Sequence, residues 1–355
     1  MGLERKKAIY DVCVEFGEPL PPLGAESWDV QTSQDLIIAE DDPYFFLQVG
    51  EFVPKSLRKP EPEPESVTGE DVERFVASLV PTFLSVDTQG RVIRMETLSK
   101  VRHSLSLSRT LFIRRGSLLQ TIAPGMRLGW FTCSPLFADR LERIGETSTQ
   151  SPCGLGQALF MALISQWTFD GYVRWLRGLR AQYRHRRDFF VDCLADEFDL
   201  FPTSASAVSP RWSSATVVGD HTFTVLSAYA RGGNVHEKTT RHPLLSFIPP
   251  SSGMFVWLEL YFGEVPDETD EDGSVKTPEH QFWERLVNAG VLAVPGSYFL
   301  PERYALGGGT GTGDGGASAP TLSAVSAEGR VGYLRLSYTP ADVSAKPLSF
   351  FSFFF

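Results

Sequence analysis

The stretch RVIRMETLSKVRHSLSLSRTLFIRRGSLLQTIAPGMRLGW, residues 91–130, decides how the rest of the chain is read. Upstream text included, TFLSVDTQGRVIRMET predicts two strands joined by a polar turn. The chain then presents two hydroxyls, Thr97 and Ser99, and an amine, Lys100. At the far end TIAPGMRLGW places Arg127 beside a Gly-Pro turn. Arginine and hydroxyl donors bind phosphate, and a lysine amine forms a Schiff base with a carbonyl. The two ends therefore suit one ligand carrying both a phosphate and an aldehyde. Between them, Val101–Gln120 follow neither the helical nor the strand period.

A second cluster lies upstream. In EDDPYFFLQ, residues 40–48, acidic residues end the predicted buried strand LIIA and run through a Pro turn to a tyrosine. A carboxylate at Asp41 and a phenol at Tyr44 can grip two edges of one planar heterocycle. Alone, this is an acidic loop with a tyrosine packed below it. Joined to Thr97, Ser99, Lys100 and Arg127 it points to pyridoxal 5'-phosphate, which holds a phosphate, an aldehyde and a pyridine ring in one molecule.

The totals agree with an enzyme of ordinary composition. With 355 residues, 42% apolar and 21% charged, the chain can bury a sizeable core in two domains. A net charge of −10 argues against a nucleic-acid partner. The basic run RGLRAQYRHRR, residues 177–187, reads as the solvated face of a long helix. Cys13, Cys133, Cys153 and Cys193 form no CxxC pair and read as reduced, mostly buried thiols of an intracellular protein. No apolar run approaches the roughly 20 residues a membrane helix needs, and the opening MGLERKKAIY lacks a secretory core. A cytoplasmic protein without a membrane or nucleic-acid partner is expected.

Along the chain, LERKKAIYDVCVEF and VERFVASLV have helical periodicity, and GYVRWLRGLRAQYRHRRDFFVDCLADEF predicts a long connecting helix. SSGMFVWLEL and GYLRLSYT read as strands, and HQFWERLVNAGVLAVPG as a helix followed by a strand. This alternation is that of an α/β protein. Three tempting motifs fail. GTGDGG, residues 311–316, has the glycine spacing of a dinucleotide loop but neither the strand before nor the helix after it. HEKTTRH, residues 236–242, spaces its histidines wrongly for a metal-binding helix face, so no metal site is expected. No GxSxG elbow occurs.

The chain resembles the fold-type I pyridoxal-phosphate aminotransferases, specifically the fungal aromatic amino acid and 2-aminoadipate enzymes. The matching text is AIYDVCVEF, EDDPYFFLQ, LSVDTQGRVIRMETLSK, TIAPGMRLGW, STQSPCGLGQALF, FIPPSSGMFVWLEL, GVLAVPGSYF and LRLSY, in the family's order. The resemblance implies a partial large domain with a central mixed sheet over residues 1–198 and a smaller C-terminal α/β domain over 199–355; the low-complexity run at 307–328 reads as disordered from its composition. It implies that Lys100 bonds the cofactor and shuttles the substrate Cα proton, and that Asp41 pairs with the pyridine nitrogen. Tyr44 would bind the ring hydroxyl. Thr97, Ser99 and Arg127 would hold the phosphate, and Arg335, in LRLSY, would take the substrate carboxylate. Asp42 would support the turn rather than touch the cofactor. The implied reaction passes an amino group from an aromatic amino acid, 2-aminoadipate or kynurenine to a 2-oxo acid such as 2-oxoglutarate, in a homodimer. The alternative is a catalytically dead fragment or pseudoenzyme of the same family.

Departures from the family pattern feed that alternative. In relatives the lysine runs directly into TIAPG, whereas here Val101–Gln120 intervene; a competing register, GSLLQTIAPG, would put Gln120 in the lysine's place. A second insert occupies residues 17–34. The N-terminal part of the family's large domain is expected to be missing, and AKPLSFFSFFF replaces a final helix with an aromatic tail. Weak or no activity is therefore expected of the chain as written. A valine codon begins GT and a glutamine codon can be CAG, the letters that open and close an intron, and SLSLS fits a translated pyrimidine tract. We read both inserts as introns retained in the coding sequence, with a genuine lineage-specific loop as the alternative. Sequencing cDNA across the codons for Lys100 to Thr121 should show the two joined directly; persistence of the intervening codons in mature message would refute the intron reading.

Overall fold

Three charged side chains, Lys6, Glu40 and Arg94, come from distant parts of the sequence and are buried together. Their side chains are 8%, 6% and 3% exposed. Charges leave water only when paired, so they mark where the first elements of the chain are fixed to one another.

The computed structural model describes residues 2–17, 36–59, 69–97, 128–202, 217–218, 221–222, 224–231, 243–263, 268–269, 276–291, 293–299 and 331–339. Of the two inserts only Gly17 is included; residues 18–34, 101–120 and 307–328 and the motifs at 236–242 and 311–316 lie outside the described residues. The elements are α1 (Leu3–Phe16), β1 (Ile38–Asp41), α2 (Gly69–Ala77), β2 (Val92–Thr97), β3 (Gly129–Thr132), α3 (Pro135–Thr147) and α4 (Gly154–Glu197). There follow β4 (Asp199–Pro202), β5 (Val217–Val218), β6 (His221–Thr222), β7 (Leu226–Tyr229), β8 (Leu245–Phe247), β9 (Phe255–Tyr261), α5 (Pro278–Asn288), β10 (Val294–Pro295) and β11 (Val331–Ser337). The chain forms two units, one of residues 1–50, 59–184 and 217–222, the other of residues 51–58, 185–216 and 223–355.

In the first unit β1 runs parallel to β2, with Asp41 opposite Met95, and β2 runs antiparallel to β3, with Thr97 opposite Gly129. Glu40 on β1 accepts from Lys6 Nζ at 2.8 Å, from Arg94 Nη1 at 3.2 Å and from the Phe83 amide at 3.1 Å. One carboxylate thus joins α1, β1, β2 and the short 3-10 turn Phe83–Ser85. Beneath it pack Tyr10, Phe83 and Val92; Val72 and Phe75 of α2 pack against Val173 and Leu176 of α4.

Residues 82–97 form one strand and not the expected two. The Tyr10 hydroxyl accepts the Thr88 and Gln89 amides at 2.9 Å, and the Asp87 carboxylate accepts those of Arg91 and Val92 at 3.0 Å. The amides of the expected first strand are met elsewhere, Phe83 by Glu40 and Ser85 and Val86 by the Thr82 and Phe83 carbonyls, so no strand ladder forms there. Gly90 turns the chain at φ +72°, a conformation that strains any residue with a Cβ. The strand expected over LIIA starts only at Ile38, and Leu36 and Ile37 remain exposed.

The long helix is present as α4, broken in backbone conformation at Thr168 (φ 58°, ψ −177°). Its basic run is not a solvated face throughout. Arg186 and Arg187 are buried, and Arg187 donates to the Pro250 carbonyl at 2.6 Å and to Asp188 at 2.6 Å. The cysteines are also less buried than expected: Cys153 is exposed and the other three are intermediate.

The second unit is built on an antiparallel sheet in the order β10-β11-β9-β8-β7-β4. Alternation separates its faces. Val256, Leu258, Leu260, Leu334 and Leu336 are buried on one face; Phe255, Trp257, Tyr333 and Arg335 alternate with them and project to the other.

Replacing Glu40 with alanine leaves two buried cations without their shared anion. The variant should lose about 3–5 kcal/mol of stability by urea denaturation; a loss under about 1 kcal/mol would show that the network does not hold the unit together.

Candidate active site

Asp41 is the last residue of β1 and is exposed, while Glu40 beside it points into the buried ion network. The alternation of a strand sends neighbouring carboxylates to opposite faces, one structural and one free for a ligand. The turn that follows is held by the Phe45 amide on the Asp42 carbonyl (3.3 Å) and the Leu47 amide on the Tyr44 carbonyl (2.8 Å). This leaves Tyr44 half-buried. Thr97 ends the neighbouring parallel strand, so the C-terminal ends of β1 and β2 lie side by side. Ligand-binding residues in α/β sheets gather at such strand ends.

Arg94 fixes this corner from below. It lies 4.4 Å from the Phe45 ring centroid, 3.7 Å from Asp42 and 3.1 Å from Glu96. Burial pushes the Asp42 carboxyl above its ordinary value, against the pull of the Arg94 and Lys6 cations. The Asp42 backbone carbonyl, which accepts the Phe45 amide, contributes to the turn. Tyr172 has its phenol pushed up to about 12 by burial and by the nearby Glu96 charge.

Thr97 donates to the Leu128 carbonyl at 3.2 Å. Together with the Thr97–Gly129 pairing this closes the ends of the 98–128 connection onto each other. Ser99, Lys100 and Arg127 lie outside the described residues.

Arg335 sits in the middle of β11, in the second unit, opposite Trp257 and Val294. Its guanidinium carbon is 4.4 Å from the Phe255 ring centroid and 4.3 Å from that of Phe299. Its Nε is buried with no hydrogen-bond partner among the described residues. Phe299 contacts Trp257, which stacks on Tyr333 at 5.8 Å. Glu279 of α5 accepts the Ser297 amide at 3.0 Å and the Tyr333 amide at 2.6 Å, tying the turn that carries Phe299 to the strand that carries Arg335. Reading the sequence missed the ion network and these aromatic partners. Phe255 had a signal in the alternation of β9, two residues from Trp257 on the same face, whereas Phe299 had none before the β10–β11 pairing was known.

The residues expected at the pyridine edge suit such a ring: the exposed Asp41 carboxylate ends β1 and the half-buried Tyr44 phenol follows it, with the Thr97 hydroxyl at the end of the neighbouring strand. The Thr97 hydroxyl would have to give up Leu128 to donate to a phosphate oxygen.

No family model matches the chain. It is 31% identical over 302 residues to an aromatic amino acid aminotransferase of Schizosaccharomyces pombe, covering 85% of this chain and 45% of that protein. It is 29% identical to an L-tyrosine:2-oxoglutarate aminotransferase of Tapinella panuoides, covering 96% and 52%. A crystal structure of the aminotransferase Aro8 from Candida albicans superposes with a TM-score of 0.57 at 25% identity, covering 100% of this chain and 53% of that one. The chain thus spans about half the length of the curated relatives it matches.

Because its folded value is raised, the Asp42 carboxyl adds stability below its unfolded value of 3.8 and loses it as pH rises through the folded value. Asp42→Asn should be at least as stable as wild type near pH ~7, and wild type should gain on it as pH falls toward ~4. A wild-type advantage in urea melts that instead grows with pH would contradict the burial account.

Proposed function

We propose that this chain, a homologue of the fungal aromatic amino acid aminotransferases with their fold-type I architecture, transfers an amino group from an aromatic amino acid, 2-aminoadipate or kynurenine to a 2-oxo acid such as 2-oxoglutarate. The observation that carries the proposal is Arg335. Its half-buried guanidinium, with an Nε lacking any acceptor among the described residues, lies against two phenyl rings, a setting that favours a substrate carboxylate.

Pyridoxal phosphate, when bound, supplies an electron sink for the charge left on the substrate carbon. Asp41 holds the pyridine nitrogen in its charged form, since a nearby carboxylate favours the cation. Tyr44 donates to the ring hydroxyl. Thr97, Ser99 and Arg127 hold the phosphate. Lys100 Nζ would take the proton from the substrate Cα, and Arg335 would take the substrate carboxylate. A cytoplasmic homodimer is proposed on the family resemblance. Among the described residues no helix is long and apolar enough to cross a membrane.

One observation favours a second reading, a non-catalytic relative: the 20 residues Val101–Gln120 separate Lys100 from Arg127. A lengthened loop costs little to close, but a misplaced lysine loses most of its rate advantage. Supplied with pyridoxal phosphate, heavy-nitrogen phenylalanine and 2-oxoglutarate, the chain lacking Val101–Gln120 should form labelled glutamate at least about tenfold faster than the full chain. Lys100→Ala should form none. No labelled glutamate from either chain would establish the non-catalytic reading.

A further inference from the structure

Arg335 has a surrounding that its role as a carboxylate receiver does not by itself require. The Phe255 and Phe299 ring centroids lie 4.4 and 4.3 Å from its guanidinium carbon. The rings come from different elements, Phe255 from β9 and Phe299 from the turn Gly296–Phe299 after β10. That turn is held rigidly. Glu279 grips the Ser297 and Tyr333 amides, and a Cβ at Gly296 would overlap the Tyr333 side chain, so the turn lies directly on β11. Trp257 braces Phe299 edge-on at 5.6 Å.

We propose that Phe299 and Phe255 are positioning residues that hold the Arg335 guanidinium from two sides and so tune its site to a flat carboxylate rather than a tetrahedral anion. This rests on the reading of Arg335 as the carboxylate receiver. Rings against a guanidinium attract it through their negative faces and leave its N–H edge as the open side. A carboxylate meets that edge in the plane, with two parallel hydrogen bonds. A sulfonate has a third oxygen out of that plane, which the flanking rings oppose. Neither ring hydrogen-bonds the ligand; each acts through the arginine. Removing a ring restores rotational freedom to the guanidinium and lets water reach it, weakening the carboxylate pair and relaxing the choice between anions.

The test is calorimetric titration of the full chain with 3-phenylpropionate and with its sulfonate counterpart, 2-phenylethanesulfonate. Phe299 is 46% exposed, so its replacement should leave the fold intact, with thermal unfolding as the check. Wild type should prefer the carboxylate. Phe299→Leu should bind it about three- to thirtyfold more weakly and narrow its preference over the sulfonate, whereas Phe299→Tyr, which keeps the ring, should retain both. Arg335→Gln separates the two levels of the account. If it abolishes carboxylate binding while Phe299→Leu matches wild type in affinity and preference, the clamp is refuted and the receiver stands. If Arg335→Gln binds like wild type, or wild type does not bind, the receiver reading fails and the clamp falls with it.

Discussion

The first unit depends on one buried carboxylate. Glu40 collects a lysine from α1, an arginine from β2 and an amide from the turn between α2 and β2. Paired charges of this kind contribute little net stability compared with apolar packing, but they tolerate almost no displacement, because a misplaced partner leaves an uncompensated charge in the core. Their value here is positional. Glu40 points inward and its neighbour Asp41 therefore points outward; Arg94 reaches from Glu40 to Asp42 and the Phe45 ring. The turn that carries Tyr44 is thus set from beneath by the same ions that fix the strand.

The second unit solves a similar problem with aromatic rings. Arg335 lies on the mixed face of an antiparallel sheet, where Phe255, Trp257, Tyr333 and Phe299 surround it, and Glu279 pins the turn that supplies Phe299. In the first unit an arginine is neutralised by carboxylates and becomes structural. In the second it faces rings that attract its charge without neutralising it, so it retains capacity for an anion. The neighbours, not the residue type, separate an arginine neutralised by carboxylates from one flanked by rings.

Much of the fold was legible because period and length carry it. The helices at 3–16 and 278–288, the long α4, and strands β9 and β11 all follow apolar spacing that the sequence displays. Where the reading failed, side-chain chemistry had overridden the pattern. Glu40 and the Phe83–Ser85 turn consume the amides that a first strand in 82–97 would have used, and Arg187 finds carbonyl and carboxylate partners that no helical wheel reveals. The positions of Asp41, Tyr44 and Thr97, at strand ends and in a Pro turn, were legible from the sequence. Glu40 and Phe45 beside Arg94, and Phe299 beside Arg335, were not, since each is brought in from more than 30 residues away by pairings that spacing does not encode.

The central claim is that this scaffold presents Lys100 to pyridoxal phosphate. Its most direct test is to mix the chain with the cofactor, reduce with borohydride and map the modified peptide by mass spectrometry. The account predicts one cofactor per chain, fixed to Lys100, in the protein lacking Val101–Gln120. Label spread over surface lysines, or no label, would contradict it.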